Sequence, residues 1–413
     1  MTLIPRAAQA AAAFAYGATQ AGSAAAQHVA PVTRAEAVAA AATQGARLAL
    51  ARADTAVATA QLLTARAWQN PALSASYSKS VPSYHYALDI PLDLPMQRGA
   101  RIGSARAARQ AALYRFAFKR AAAALDADTT YTRALATRDR ARLSRRTAQA
   151  ADSLRGIAVA RRDAGDASDL DVALATVAAG QATNVAAADS LTYLSTVLDL
   201  QAVMGLTVDA VAIAPADSLT LPSRADLPAD SGLPTQAAPL QVAAAQAALE
   251  AARLAARLQH RSVFSGFGVM AGIETGGDSA ESGILPTVGL SVAIPLLNRN
   301  RGPIAQAEAE RTRARAELAF AETRSRVEIA RARRETAIAA ANVARDTLLT
   351  RTANQVAAMS LTAYAEGAAS LANVLEAQRS TREVLAQYVD DVAALWIAAA
   401  RLRLLSLTVA GTP

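Results

Sequence analysis

Cysteine is absent from the 413 residues of the chain. That excludes disulfides, thiolate metal sites and a lipidated N-terminal cysteine. Aromatic residues supply only 4% of the chain, although hydrophobic residues of all kinds reach 53%. Alanine makes up most of that apolar share, which favours long helices packed through small side chains over a thick globular core. Lysine is almost missing: Lys79 and Lys119 are the only two, so arginine carries the formal net charge of +8. The arginines are spread along the chain and interleaved with Asp and Glu. They form no patch and no aromatic-interleaved stripe, so nucleic acid is not an expected partner. No run of about 20 strongly apolar residues exists, and no transmembrane helix is expected.

Motifs for chemistry are missing as well. His28, His85 and His260 lie far apart and lack ligand spacing. The segment Gly276-Gly277-Asp278-Ser279 lacks the Gly-x-Ser-x-Gly order of a nucleophile elbow and reads as a turn-rich loop. There is no glycine-rich phosphate loop. No catalytic residue, cofactor or metal is expected, and the chain does not read as an enzyme.

What is present is a duplication. Ile90-Pro91-Leu92 recurs as Ile294-Pro295-Leu296, and Arg98-Gly99 as Arg301-Gly302. Gly165 with Ser168, Asp171 and Val172 recurs as Gly367 with Ser370, Asn373 and Val374. The three offsets are 204, 203 and 202 residues, so the landmarks stay in step. Between the copies, Pro215, Pro222, Pro228, Pro234 and Pro239 mark a linker, because proline at that density blocks helix and ladder alike. Met1 to Gln27 holds Arg6, an alanine-rich stretch and the small-residue run Ser23-Ala24-Ala25-Ala26, and resembles a secretory signal with a weak apolar region. The expected organisation is a signal-like or disordered leader over 1–32 and a first repeat over 33–205. A proline-rich linker over 206–236, a second repeat over 237–409 and a tail over 410–413 complete it.

Each repeat predicts the same elements. Ala305 to Glu366 contains no glycine or proline, and Ser104 to Ala164 only Gly156. Both runs are rich in strong helix formers, and about 60 residues at 1.5 Å give roughly 90 Å of helix. Rods of that length must lie side by side in a bundle or tubular wall. Gly165 and Gly367 suit the left-handed residue that closes a helix, and Ser168 and Ser370 suit the next N-cap. Further helices follow over 167–204 and 370–408, and shorter ones precede over 35–67 and 238–259.

Between the short and the long helix, the period changes to 2. Leu73, Ala75 and Tyr77 alternate with serines; Tyr84, Tyr86, Leu88 and Ile90 alternate with His85, Ala87 and Asp89. In the second copy, Val263 to Ile273 alternates against a glycine-rich face. Val288, Leu290, Val292, Ile294 and Leu296 alternate with Thr287, Gly289, Ser291 and Ala293. Segments of about 9–11 residues with two unlike faces have the length of tilted membrane-spanning strands. Trp68, Tyr77, Tyr84, Tyr86, Phe264 and Phe267 cluster near them, as interfacial aromatics do, although aromatics also favour strands in general.

Asn70-Pro71, the paired Ile-Pro-Leu and Arg-Gly strand exits, and the paired Gly-x-x-Ser-x-x-[Asp/Asn]-Val turns together resemble the TolC family of outer-membrane factors, most closely its CzcC- and CusC-like efflux branch. The resemblance covers about 33–409. It implies a mainly α fold: tandem long helical hairpins that form an α-barrel in a homotrimer, and four strands per protomer in a shared twelve-stranded β-barrel. It further implies outer-membrane lipid around the strands, helices in the periplasm, a periplasmic adaptor (membrane fusion protein) at the tips, and an inner-membrane pump of the RND type. Pro91, Arg98, Gly99, Pro295, Arg301 and Gly302 then mark strand-to-helix transitions. Gly165, Ser168, Gly367 and Ser370 mark the periplasmic tip and adaptor docking. By motif position, Asp171 matches a ring acid and Tyr364 a gate tyrosine. Asn373 and Glu376 stand where the family's gate carries aspartates, and Ala369 where it carries an arginine. The resemblance thus implies a gate without that arginine lock. Read without it, Asp171 and Glu376 are solvated acids near a helix N-terminus, and Tyr364 is a packing residue.

Two rival readings remain. A soluble elongated coiled-coil scaffold explains the rods but not the duplicated strands. A periplasmic adaptor carries one hairpin flanked by small β domains, whereas this chain has two hairpins in tandem.

Overall fold

A computed structural model describes residues 29–44, 46–207, 212–223, 227, 238–264, 266–276, 284–292 and 298–408. The signal-like stretch, the tail, Pro295 and most of the Gly276–Ser279 loop lie outside the described residues. Two rods dominate. Helix α3 (Pro95–Asp163) has 69 residues and α6 (Arg301–Ala365) has 65, roughly 100 Å each at 1.5 Å per residue. Each turns back into a shorter helix, α4 (Asp169–Met204) or α7 (Leu371–Leu405).

The rods begin earlier than breaker spacing suggested. Pro95 opens α3 at its first turn, where a missing N–H costs nothing. Arg98 and Gly99 therefore lie inside α3, while Arg301 and Gly302 are the first two residues of α6 and Pro91 is the last of its strand. The first short helix is two, α1 (Arg34–Gln44) and α2 (Ala46–Arg66), and its counterpart is α5 (Leu240–Arg261). Helix α5 packs between α3 and α6, and α2 lies against α3. Most of the buried hydrophobic positions are alanine, as close helix packing requires. No helix among the described residues is long and apolar enough to cross a membrane.

Two sheets accompany the helices. A small parallel pair joins β1 (Ala30–Val32), in the stretch read as leader, to β4 (Ile213–Pro215) in the linker. The larger sheet is antiparallel, in the order β2 (Ala72–Tyr77), β3 (Tyr84–Pro91), β5 (Phe267–Thr275), β6 (Leu285–Val292). Strand β5 starts later than the alternation predicted: Ser262–Phe264 continues α5 as a turn of 3-10 helix, so Val263 is not in the ladder. The register sorts the sheet into rows. Leu73, Leu88, Ala271 and Val288 form one; the next is Ser74, Ala87, Gly272 and Thr287. Successive rows point to opposite faces. One face is therefore continuous in large apolar residues, with Val288 83% and Leu290 78% exposed. The other is small and polar apart from Met270 and Leu285. Strands β2 and β6 end the sheet without a neighbour among the described residues.

Candidate functional site

The two hairpin turns share one end of the molecule and one construction. Gly165 and Gly367 adopt φ of 88° and 76°. In each, the glycine N–H and the one after it bond back into the helix: Gly165 to Arg162 O and Asp166 to Arg161 O, Gly367 to Tyr364 O and Ala368 to Ala363 O. This double closure satisfies the last carbonyls of α3 and α6. Ser168 then caps α4, accepting from the Asp171 N–H at 3.2 Å, while the Asp171 carboxylate accepts from the Ser168 N–H at 3.1 Å and hydroxyl at 2.9 Å. Ser370 caps α7 through the Asn373 N–H at 3.4 Å. Asp171 and Asn373 thus occupy equivalent capping positions, and the Asp171 side chain is engaged locally.

Between the turns lies an apolar knot of Leu154, Ala158, Ala175, Tyr364, Leu371 and Val374, with Val172 and Leu375 at its margin. It draws on all four hairpin helices. Tyr364 is 4% exposed and its hydroxyl is buried without a partner among the described residues. Arg161 of α3 crosses to the second hairpin, donating from Nη1 to Tyr364 O at 2.9 Å with its guanidinium 4.8 Å from the ring centroid. Ala369 supplies no arginine, yet an arginine does join the hairpins here, from the opposite hairpin. Just above the knot, Leu174, Val177, Leu375, Glu376 and Arg379 line a groove of about 430 Å³ between α4 and α7, floored by Ala151. Glu376 stands on this groove, separate from the Asp171 cap.

Halfway along, two polar nodes brace the rods. Asp217, after β4, accepts from the Arg34 N–H at 2.9 Å and the Tyr131 hydroxyl at 2.8 Å. The Arg34 backbone bond, then the Tyr131 bond, hold its carboxyl below the usual carboxylate range, and burial pushes Tyr131 up to about 12. Arg34 also stacks on Trp396 of α7 at 4.4 Å and pairs with Asp128 of α3 at 2.6 Å. The second node is Asp346 of α6 and Asp391 of α7, 3% and 8% exposed. A hydrogen bond between the two carboxyls, then burial, raises Asp346. Among the described residues no group of three potential ligands could hold a metal, and His85 and His260 instead face Glu274 and Glu308 at 3.3 and 3.2 Å.

Neither protein-family models nor curated protein sequences give a match to the chain. Solved structures do. A membrane protein from Pseudomonas aeruginosa superposes with a TM-score of 0.77 at 20% identity, covering 91% of this chain and 93% of that one. The CmeC outer membrane channel of Campylobacter jejuni gives 0.77 at 13% identity, with 90% and 85% covered. The outer membrane protein VceC of Vibrio cholerae gives 0.76 at 18%, with 90% and 96% covered. The chain has the TolC-type outer-membrane-channel fold. Within that fold, sequence reading had marked the two turns and Tyr364. It missed Arg161, Asp217 and the Asp346–Asp391 pair, whose partners lie tens to hundreds of positions away and leave no local signal.

Proposed function

We propose that the chain is one protomer of a homotrimeric outer-membrane efflux duct, a passive conduit and not an enzyme. The observation that carries this reading is the sheet. Its largely apolar face, exposed at Leu73, Val288 and Leu290, and its two edges unpaired among the described residues make no sense in water, where they invite aggregation. Closure with two further copies removes the edges, turns the apolar face to lipid and the small polar face to a lumen. The helices then form a periplasmic tube, each repeat giving one hairpin to its wall. The shared fold with CmeC and VceC supports the same placement. In this reading the signal-like stretch from Met1 to Gln27 directs export, and the tips and the groove between α4 and α7 receive a periplasmic adaptor fed by an RND-type inner-membrane pump. Detergent-dependent recovery with outer membranes and conductance in planar bilayers test the reading. A soluble elongated monomer sinks it and favours the scaffold.

The gate is proposed at the tip. Because Asp171 also caps α4, alanine there confounds charge with helix stability, and the cleaner variant is Asp171→Asn with Glu376→Gln. Its expected effect is an altered single-channel conductance or cation preference at unchanged trimer yield. Unaltered conductance and selectivity remove both residues from the gate.

A further inference from the structure

Sequence alone shows no basic patch, but the fold builds one where the sheet meets the rods. Arg98 Nη2 donates to Arg66 O at 3.1 Å and Arg101 Nε to Ala65 O at 3.0 Å, closing the end of α2. Gln97 Nε2 donates to Arg261 O at 2.9 Å, Arg261 Nη1 to Met96 O at 2.6 Å, and Asn300 Nδ2 to Gln259 O at 2.7 Å. These bonds tie the ends of α2 and α5 to the starts of α3 and α6 in a single layer. Arg66, Arg98, Arg101, Arg261, Arg299 and Arg301 all lie in it. Asp93 is the acid at this level, and Arg101 and Arg98 take it at 2.6 and 3.5 Å. Glu308, about two turns along α6, is held by His260 and Arg311. Arg66, Arg299 and Arg301 are exposed, and their guanidinium groups have no hydrogen-bond or ion-pair partner among the described residues.

The neighbours of this layer say which surroundings it meets. Leu92 extends the β3 ladder through its N–H to Phe267 O at 2.7 Å, and its parity puts it on the apolar face. Met96, in the first turn of α3, is exposed, as is Leu92. Trp68 is 67% exposed, with the Arg98 guanidinium 3.9 Å from its ring centroid. Apolar residues giving way to Trp and then to uncompensated arginine is the order of a bilayer interface, from acyl chain to headgroup. Arginine, with its planar fork, suits phosphate oxygens in a way lysine does not.

We propose that this layer binds the phosphate of anionic phospholipid in the leaflet on the helical side of the membrane, with Arg66, Arg299 and Arg301 as the phosphate ligands and Trp68 at the interface. The inference rests on the outer-membrane reading above and names the lipid chemistry that reading leaves open. The test uses the purified full chain in neutral detergent, titrated with phosphatidylglycerol, phosphatidylcholine or inorganic phosphate and read by native mass spectrometry. Phosphatidylglycerol should be retained at least about fivefold over phosphatidylcholine, the factor expected for one arginine near an anionic surface. That preference should fall as salt rises. The triple variant Arg66→Gln, Arg299→Gln, Arg301→Gln breaks no bond described here, and should assemble as before and lose the preference. Equal retention of the two lipids, or an undiminished preference in the variant, overturns the proposal. So does displacement of lipid by millimolar phosphate, which would mark a free-anion site. Failure of the outer-membrane reading shows differently, as a chain that stays soluble without detergent.

Discussion

Asp217 and Asp346 are both held by neighbouring chain segments, yet they titrate in opposite senses. Asp217 is lowered, so its ionised form stabilises the fold above the ordinary carboxylate range, and that contribution is lost as pH falls through its folded value. Asp346 is raised, so folding favours its protonated form; stability from this group is present at low pH and is lost as pH climbs through the folded value. Asp346→Asn should therefore raise the apparent unfolding temperature at pH 8, by roughly 1 °C if about 1 kcal/mol is recovered in a chain of this length, and leave it unchanged near pH 4. Asp217→Asn should lower it at pH 8. Thermal unfolding in detergent at the two pH values checks both, and a destabilised Asp346→Asn at pH 8 contradicts the shared-proton pair. Tyr364 gives a second residue-scale prediction. Its buried hydroxyl has no partner among the described residues, and an unmet hydroxyl costs about 1–3 kcal/mol. Arg161 uses the Tyr364 carbonyl and ring, both of which phenylalanine keeps. Tyr364→Phe should be as stable as the parent or more so, with the same conductance. A leakier channel would instead assign the hydroxyl to the gate.

At the scale of elements, the hairpin turns were legible because their chemistry is local. A glycine at positive φ followed three residues later by a capping serine can be read from spacing alone, and it recurs at 165–168 and 367–370. Rod starts were less legible: helix formers continue smoothly upstream of Ser104, and the first turn tolerates Pro95. The 3-10 turn at Ser262–Phe264 carries an alternation that fits a strand as well, and only the docking of α5 decides between them. The arginine layer was invisible because its members are scattered from 66 to 301. A test of the turn follows from its geometry. A Cβ at position 367 meets nothing closer than Arg161 Nη2 at 3.8 Å, so space is not the constraint; the left-handed backbone is, at about 1–2 kcal/mol for an ordinary residue and more for a branched one. Gly367→Val should loosen the α6–α7 turn and impair export while trimers still form. Native electrophoresis and a drug or metal resistance assay measure the two separately, and normal resistance would take this turn out of adaptor docking.

The whole molecule joins two unlike materials, rods with an alanine-rich, water-compatible surface and a sheet whose large apolar side chains, apart from Met270 and Leu285, point one way. Interleaved pairs such as Arg324–Glu328 at 2.7 Å and Arg331–Glu335 at 2.6 Å keep α6 wet but add little stability, their arginines being exposed and their glutamates only half-buried. The sheet has no such cover, and its row pattern makes the proposed environment testable one residue at a time. Val288 and Thr287 are adjacent in β6 and sit in adjacent rows, one among Leu73, Leu88 and Ala271, the other among Ser74, Ala87 and Gly272. If the apolar face meets lipid, arginine at Val288 costs about 2–4 kcal/mol near the bilayer midplane, while arginine at Thr287 reaches a wet lumen. Val288→Arg should sharply reduce the yield of membrane-inserted trimer, and Thr287→Arg should assemble and conduct with reduced cation preference. A soluble scaffold would tolerate both, since a charge on an already exposed face costs nothing in water. Equal tolerance would therefore remove the barrel, and with it the duct, whereas the opposite ranking would mean that the lumen and lipid faces are exchanged.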